Sequence, residues 1–354
     1  MRRLILCLVG IVGLCAGRWR PQMADPTPLT ADPVSPTITV AEPLWPALPA
    51  EHGPLPEGLA NVTSQACGAC HETTSWSGSA HAEPSPSWRA AAAATNDSPL
   101  CTSCHLPLRA QHATVVTEYN SGPLGMAVTA PNPGYDSALA GEYVTCAACH
   151  VRDGSVVGAE AAEAPHPTTQ RSDEACSTCH QYTWPGGEDP LYDTVGEWSR
   201  SAWATQDVGC TDCHDHSLSA GTALSMLLTA PPELTRGEAV SLSLTIQNTG
   251  AGHAVPTGSP WTAMLLEVQV IVKDEFAGEA WSTRLERTLQ TEPPYAVTAD
   301  TRLGPLEERT WPVQVELPHS APDGHGYIRV QALRIGPDGT ATTSQVTRVP
   351  VVVY

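Results

Sequence analysis

Residues Cys146–His150 read Cys-Ala-Ala-Cys-His, and the same Cys-x-x-Cys-His frame recurs as CGACH from Cys67, CTSCH from Cys101, CSTCH from Cys176 and CTDCH from Cys210. Two thiols at this spacing can add to the two vinyl groups of one porphyrin, while the adjacent histidine takes one axial face of its iron. Each copy therefore reads as a covalent c-type haem site, and five copies imply five haem c groups. Attachment falls to Cys67 and Cys70, Cys101 and Cys104, Cys146 and Cys149, Cys176 and Cys179, and Cys210 and Cys213. The proximal iron ligands are then His71, His105, His150, His180 and His214. A single CxxC is equally well explained by a zinc half-site or a redox dithiol. With 13 histidines in 354 residues, chance would place one after all five pairs roughly once in ten million.

Composition fits that reading. Of 12 cysteines, ten lie in the motifs and two, Cys7 and Cys15, near the N-terminus, so no thiol remains for structural disulfides. One phenylalanine in the chain is too few for an ordinary aromatic core. Porphyrins supply the missing apolar surface, which couples their insertion to folding. The opening stretch MRRLILCLVGIVGLCAG, residues 1–17, has a basic start, an apolar run and small residues at its end, the pattern of a secretory signal. The expectation is an exported protein, periplasmic or on the outer surface. Cys15 offers a lipid-anchor site, although Leu14 before it departs from the small residue of a bacterial lipoprotein cleavage site. No second apolar run of about 20 residues follows, so no transmembrane segment is expected. The net charge of −19, with Lys273 as the single lysine, disfavours nucleic acid and favours redox partner proteins with basic docking patches.

Four segments follow in order. Residues 18–60 contain ten prolines and no hydrophobic period, and read as a disordered, proline-rich linker. Residues 61–222 hold all five motifs at about 30 residues per haem, room for short helices and loops around closely spaced haems but hardly for a protein core. From residue 223 to 354 the pattern turns to period two with β-branched enrichment, as in AVSLSLTIQN, TAMLLEVQVIVKD, TWPVQVEL, GYIRVQALRI and SQVTRVPVVVY. This predicts an all-β sandwich of about seven strands, immunoglobulin-like in class. The fold class is therefore multidomain, a mostly short-helix and loop multihaem domain followed by a sandwich.

Two features outside the motifs bear on the irons. SWSGSAHA (Ser75 to Ala82) and EWSRSAWA (Glu197 to Ala204) share the frame W-S-x-S-A-x-A, with His81 in one copy and Trp203 at its place in the other. Against a porphyrin, His81 can bind iron, whereas Trp203 can only pack on the ring or donate a hydrogen bond. In the sandwich, NTGAGHAVPTG (Asn248 to Gly258) sets His253 among glycines just after a strand, a loop that can bring backbone close to a neighbour. His253 is a candidate axial ligand to a haem of the preceding domain.

Taken together, CGACH with W-S-G-S-A-H-A, CTSCHLPL, TCAACHVRDG, CSTCHQ with VGEWSRS, CTDCH with HSLSAG, and GAGHAVPTG resemble the multihaem c-type cytochromes related to the tetrahaem cytochrome that accepts electrons from hydroxylamine oxidoreductase. The resemblance spans roughly residues 61–262 and extends to members with a C-terminal β-sandwich. It implies bis-histidine or mixed-ligand haems, with His81, His166, His216 and His253 as distal ligands capping haems other than those of their nearest motifs. His216 lies two residues beyond His214 and cannot easily reach the opposite face of the same iron. Five proximal ligands against four distal ones leave one haem unassigned. His112 is the leading candidate for it, followed by His52, His319, His325, Met126 and an open or water-bound iron.

The expected function is an exported electron carrier passing electrons through five haems. The alternative is a multihaem oxidoreductase acting on small nitrogen or sulfur oxides at one open haem, although the CxxCK site of many nitrite reductases is absent. A surface adhesion or assembly role is a third idea. No P-loop, G-x-G-x-x-G or G-x-S-x-G frame supports nucleotide or acyl-transfer chemistry, and no residue is assigned as catalytic.

Overall fold

The computed structural model describes residues 55–59, 61–83, 99–120, 126–152, 154–158, 166, 168–169, 174–184, 187–216, 223–290, 292 and 295–354. The predicted signal, Cys7, Cys15, His52 and nearly all of the predicted linker lie outside these residues, as does the Cys101 side chain. The described chain is mostly strand, with a few short helices.

Among the described residues, short α-helices of two turns or less punctuate the motif-bearing segment: α1 Ser64–Gly68, α2 Thr74–Ser77, α3 Pro99–His105, α4 Cys146–His150, α5 Glu174–His180, α6 Thr194–Ser199, α7 Ala202–Thr205 and α8 Cys210–Cys213. Threonine and serine caps start several of them. Thr63 accepts from Ala66 N at 3.2 Å, Thr145 from Ala147 N at 3.1 Å and Ser201 from Trp203 N at 3.2 Å, each satisfying a helix-end amide. Between the helices run small hairpins, the largest pairing Thr114–Asn120 with Met126–Pro131. Among the described residues of this segment, Leu108, Leu139, Ala147, Ala148 and Val151 form one buried apolar cluster.

The C-terminal segment is a β-sandwich of seven principal strands: β1 Leu224–Thr229, β2 Ala239–Asn248, β3 Ala263–Val272, β4 Trp281–Leu285, β5 Glu308–Glu316, β6 Gly324–Ile335 and β7 Ala341–Val353. One antiparallel sheet has the order β5-β2-β1 and the other β4-β3-β6-β7. Alternation along the strands turns Leu244 and Ile246 of β2, Val313 of β5, Leu266 and Val268 of β3, and Ile328 and Val330 of β6 into one fully buried core. Each such side chain contributes about 1.5–3 kcal/mol on burial.

Both segments belong to one compact unit ending at Tyr354. Arg287 donates from Nη1 to Leu191 O at 3.1 Å and from Nη2 to Pro190 O at 2.9 Å, and Trp184 meets Tyr295 edge-on at 4.8 Å between ring centres. Among the described residues no helix is long and apolar enough to cross a membrane.

Candidate functional site

Helix geometry explains why the motifs work as units. Two cysteines at i and i+3 share a helix face, and the histidine at i+4 extends the same turn. His71 N bonds Cys67 O and His214 N bonds Cys210 O, each at 2.9 Å, so the helical ladder runs through the histidine even where the formal helix has ended. The nine motif cysteines whose side chains are described form no disulfides. Their neighbours couple the motifs in twos. Cys67 of the first motif is hydrogen-bonded to Cys146 of the third, which lowers Cys67 to about 7 and raises Cys146. Cys104 of the second is likewise hydrogen-bonded to Cys179 of the fourth, lowering Cys104 and raising Cys179. In a haem-loaded chain these sulfurs would be thioethers, so what carries over is proximity: the first and third attachment sites adjoin, as do the second and fourth.

Four histidine pairs stand out. His71 faces His166 with ring centres 6.3 Å apart, His180 faces His81 at 6.0 Å, His150 faces His216 at 5.9 Å, and His214 faces His253 at 6.2 Å. Every pair joins one motif histidine to one outside the motifs. Metal–nitrogen bonds of about 2.0 Å, with about 1.1 Å from nitrogen to ring centre on each side, place two imidazoles sharing one metal ion about 6.2 Å apart. The spacing therefore fits one iron between each pair. His81, His166 and His216 face histidines of motifs other than their nearest. His253 differs from that expectation, since it faces the motif that precedes it most closely in sequence.

Ring tautomers point the same way. His150 Nδ1 lies 2.7 Å from Val157 O and His253 Nδ1 lies 3.0 Å from Ala254 O. A carbonyl only accepts, so Nδ1 donates and Nε2 keeps its lone pair for a metal, the usual outer support of a ligating histidine. His112 has the opposite arrangement. Its Nε2 donates to Leu106 O at 2.8 Å, so that nitrogen has no lone pair to offer the fifth iron. Of the other candidates, His319 packs against Gly237 within the sandwich, His325 lies in β6 opposite Val352, and Met126 begins a hairpin strand.

Desolvation favours the neutral form of three of the facing rings, His180, His81 and His253, and metal ligation requires that form. It pushes His180 down to about 4, with the rings of His81, His214, His253 and His105 adding to the effect, and lowers His81 and His253. His105 is also pushed down to about 4, by desolvation first and by His81 second. Two buried donors, His166 Nδ1 and the Trp203 indole N–H, have no hydrogen-bond partner among the described residues, as expected of groups lining a space that holds a further polar group. No group of three or more histidine, cysteine or acidic side chains gathers as a metal site among the described residues, and a haem site needs none, since the porphyrin supplies four ligands itself.

The repeated frame is a structural repeat as well. Trp76 donates from Nε1 to Val144 O at 3.0 Å, and Trp198 to Val208 O at 2.9 Å. Val144 N in turn bonds His81 O, and Val208 N bonds Trp203 O, both at 3.1 Å. Each valine lies two residues before the first cysteine of a motif, the third motif in one copy and the fifth in the other. The frame thus props the chain entering a motif helix. Sequence alone links the copies but hides that the first serves a motif about 70 residues downstream.

No protein-family model matches the chain, and no curated protein matches it. Similar solved structures include the CARDB domain of a Pyrococcus furiosus protein, at 15% identity and a TM-score of 0.23 over 37% of this chain and 87% of that one. They also include the C-terminal domain of wzt, at 10% identity and 0.24 over 38% and 75%, and the sporulation control protein Spo0M of Bacillus subtilis, at 16% and 0.21 over 37% and 49%.

Proposed function

We propose that the chain is an exported multihaem c-type cytochrome that carries electrons through five covalently attached haems. The single observation that carries this reading is the pairing of four motif histidines with four others at 5.9 to 6.3 Å. Haem bound at these sites supplies one-electron redox chemistry. The chain's part is to fix two imidazoles at each of four irons, to favour the neutral form of His81, His180 and His253 by burial, and to keep neighbouring sites close. The adjoining cysteine pairs support short steps between the first and third sites and between the second and fourth. Filled axial positions favour transfer over substrate binding. The net charge of −19 suits a partner with a basic docking face. Strands β1, β2 and β5 in one sheet and β3, β4, β6 and β7 in the other support placing the sandwich in the immunoglobulin-like class.

Replacing distal histidines one at a time tests this. H81A, H166A, H216A and H253A are each expected to turn one haem high-spin while the covalent haem count stays at five. An unchanged spectrum in any of them removes that histidine from the ligand set. A high-spin, carbon-monoxide-binding haem in the wild-type protein would instead support the oxidoreductase alternative.

A further inference from the structure

The two copies of the tryptophan frame supply their irons differently. In the first, His81 itself faces His180. In the second, Trp203 stands at that place and the ring facing His214 comes from His253 on the sandwich loop. A ligand borrowed from another segment must be held there.

We propose that Glu197, the residue just before the second frame's tryptophan, is the positioning residue that latches the His253 loop onto the motif-bearing segment. The inference rests on His253 being an iron ligand. The first copy has Ser75 at the equivalent position, where the ligand is local and needs no latch.

Glu197 lies in α6 and reaches the loop on both sides of the turn after His253. Its Oε2 accepts from Ala254 N at 3.0 Å and from Thr257 Oγ1 at 3.2 Å. Its Oε1 accepts from Arg302 Nη2 at 2.6 Å, and Arg302 also donates from Nη1 to Pro256 O at 3.2 Å. Both partners of the ion pair are 9% exposed, so neither has water to replace the other. Close packing completes the seat. A Cβ on Gly252 would meet Trp198 Cδ1 and Trp203 Cδ1, each at 3.1 Å, a tight approach that favours glycine beside the ligand. On the sandwich side the loop is already rigid, since Asn248 Nδ2 donates to His253 O at 2.9 Å and to Leu303 O at 3.2 Å. Removing the Glu197 carboxylate leaves Thr194 Oγ1, 2.8 Å from Thr257 Oγ1, as the hydrogen bond from α6 to the loop, and Arg302 held by Asp300 at 2.7 Å, while Ala254 N–H beside the ligand loses its acceptor.

The test uses the full haem-loaded protein, reduced and exposed to carbon monoxide, with haem count and far-ultraviolet circular dichroism as controls. H253A is expected to bind promptly one equivalent more than wild type. E197A is expected to bind carbon monoxide at that same haem at a rate at least about tenfold above wild type, the consequence of losing charge-assisted hydrogen bonds, with five haems retained and the spin states of the other four unchanged from wild type. Resistance equal to wild type in E197A, while H253A binds, overturns the latch. Resistance in H253A overturns the ligand assignment beneath it. Should E197A lose haem or sandwich structure, E197Q carries the test, because it keeps an acceptor for Ala254 N and loses only the charge. A rise of about threefold is then expected, and an unchanged rate overturns the proposal.

Discussion

Histidine faces carry the account at the scale of single residues. Ring orientation gives each histidine pair a signature. His214 and His253 are 16° from coplanar and His150 and His216 are 26°, but His81 and His180 are 62° apart. Electron paramagnetic resonance of the ferric protein should show rhombic low-spin signals from the first two and a strongly anisotropic, large-g signal from the third. A uniform set of rhombic signals would argue against the His81 pairing. The proposed proximal histidines come from spacing alone, because each CxxCH frame offers one adjacent histidine. Partner choice was not legible, since it depends on chain crossings such as His71 with His166. The orientation of His112 turned on one carbonyl, Leu106 O, that no sequence pattern marks.

Elements show where periodicity speaks and where it falls silent. The long inner strands β2, β3, β5, β6 and β7 were readable because their inward positions alternate. Strand β1 was not, as LSMLLT carries Leu227 on its outward face at 57% exposure, which breaks the period. Strand β4, WSTRL, is a short edge strand whose polar outward residues mask it. Core burial sets the cost of damage. L244A, at a site with no exposure, should destabilise the sandwich by about 2–5 kcal/mol, measurable by thermal melting with the haem count unchanged. The tryptophan frame makes a paired prediction. W76F and W198F each strand a valine carbonyl and should each cost about 1–3 kcal/mol. If only one of them destabilises, the two frames are not equivalent props.

At the scale of the molecule, the contrast among the described residues lies between a sandwich with its own core of 25 buried residues and a motif-bearing segment with a cluster of five. The sandwich is therefore expected to fold without haem, and the preceding segment to need it. Replacing the motif cysteines with serine should leave the sandwich's β signal intact while limited proteolysis clears residues before about 220; a protease-resistant motif segment without haem would contradict this. The overall architecture was legible because the repeated motif and the change of period at residue 223 fall in separate stretches. The packing between the two was not, since Glu197, Arg302 and Gly252 meet only in the fold. The central claim, five haems of which four lie between paired histidines, is tested most directly by intact mass combined with ferric and carbon-monoxide-treated ferrous spectra of the purified protein. A mass gain of five haems is expected, with at least four low-spin ferric haems that take up no carbon monoxide on reduction. Fewer than five haems, or two or more high-spin haems that bind carbon monoxide, would contradict it.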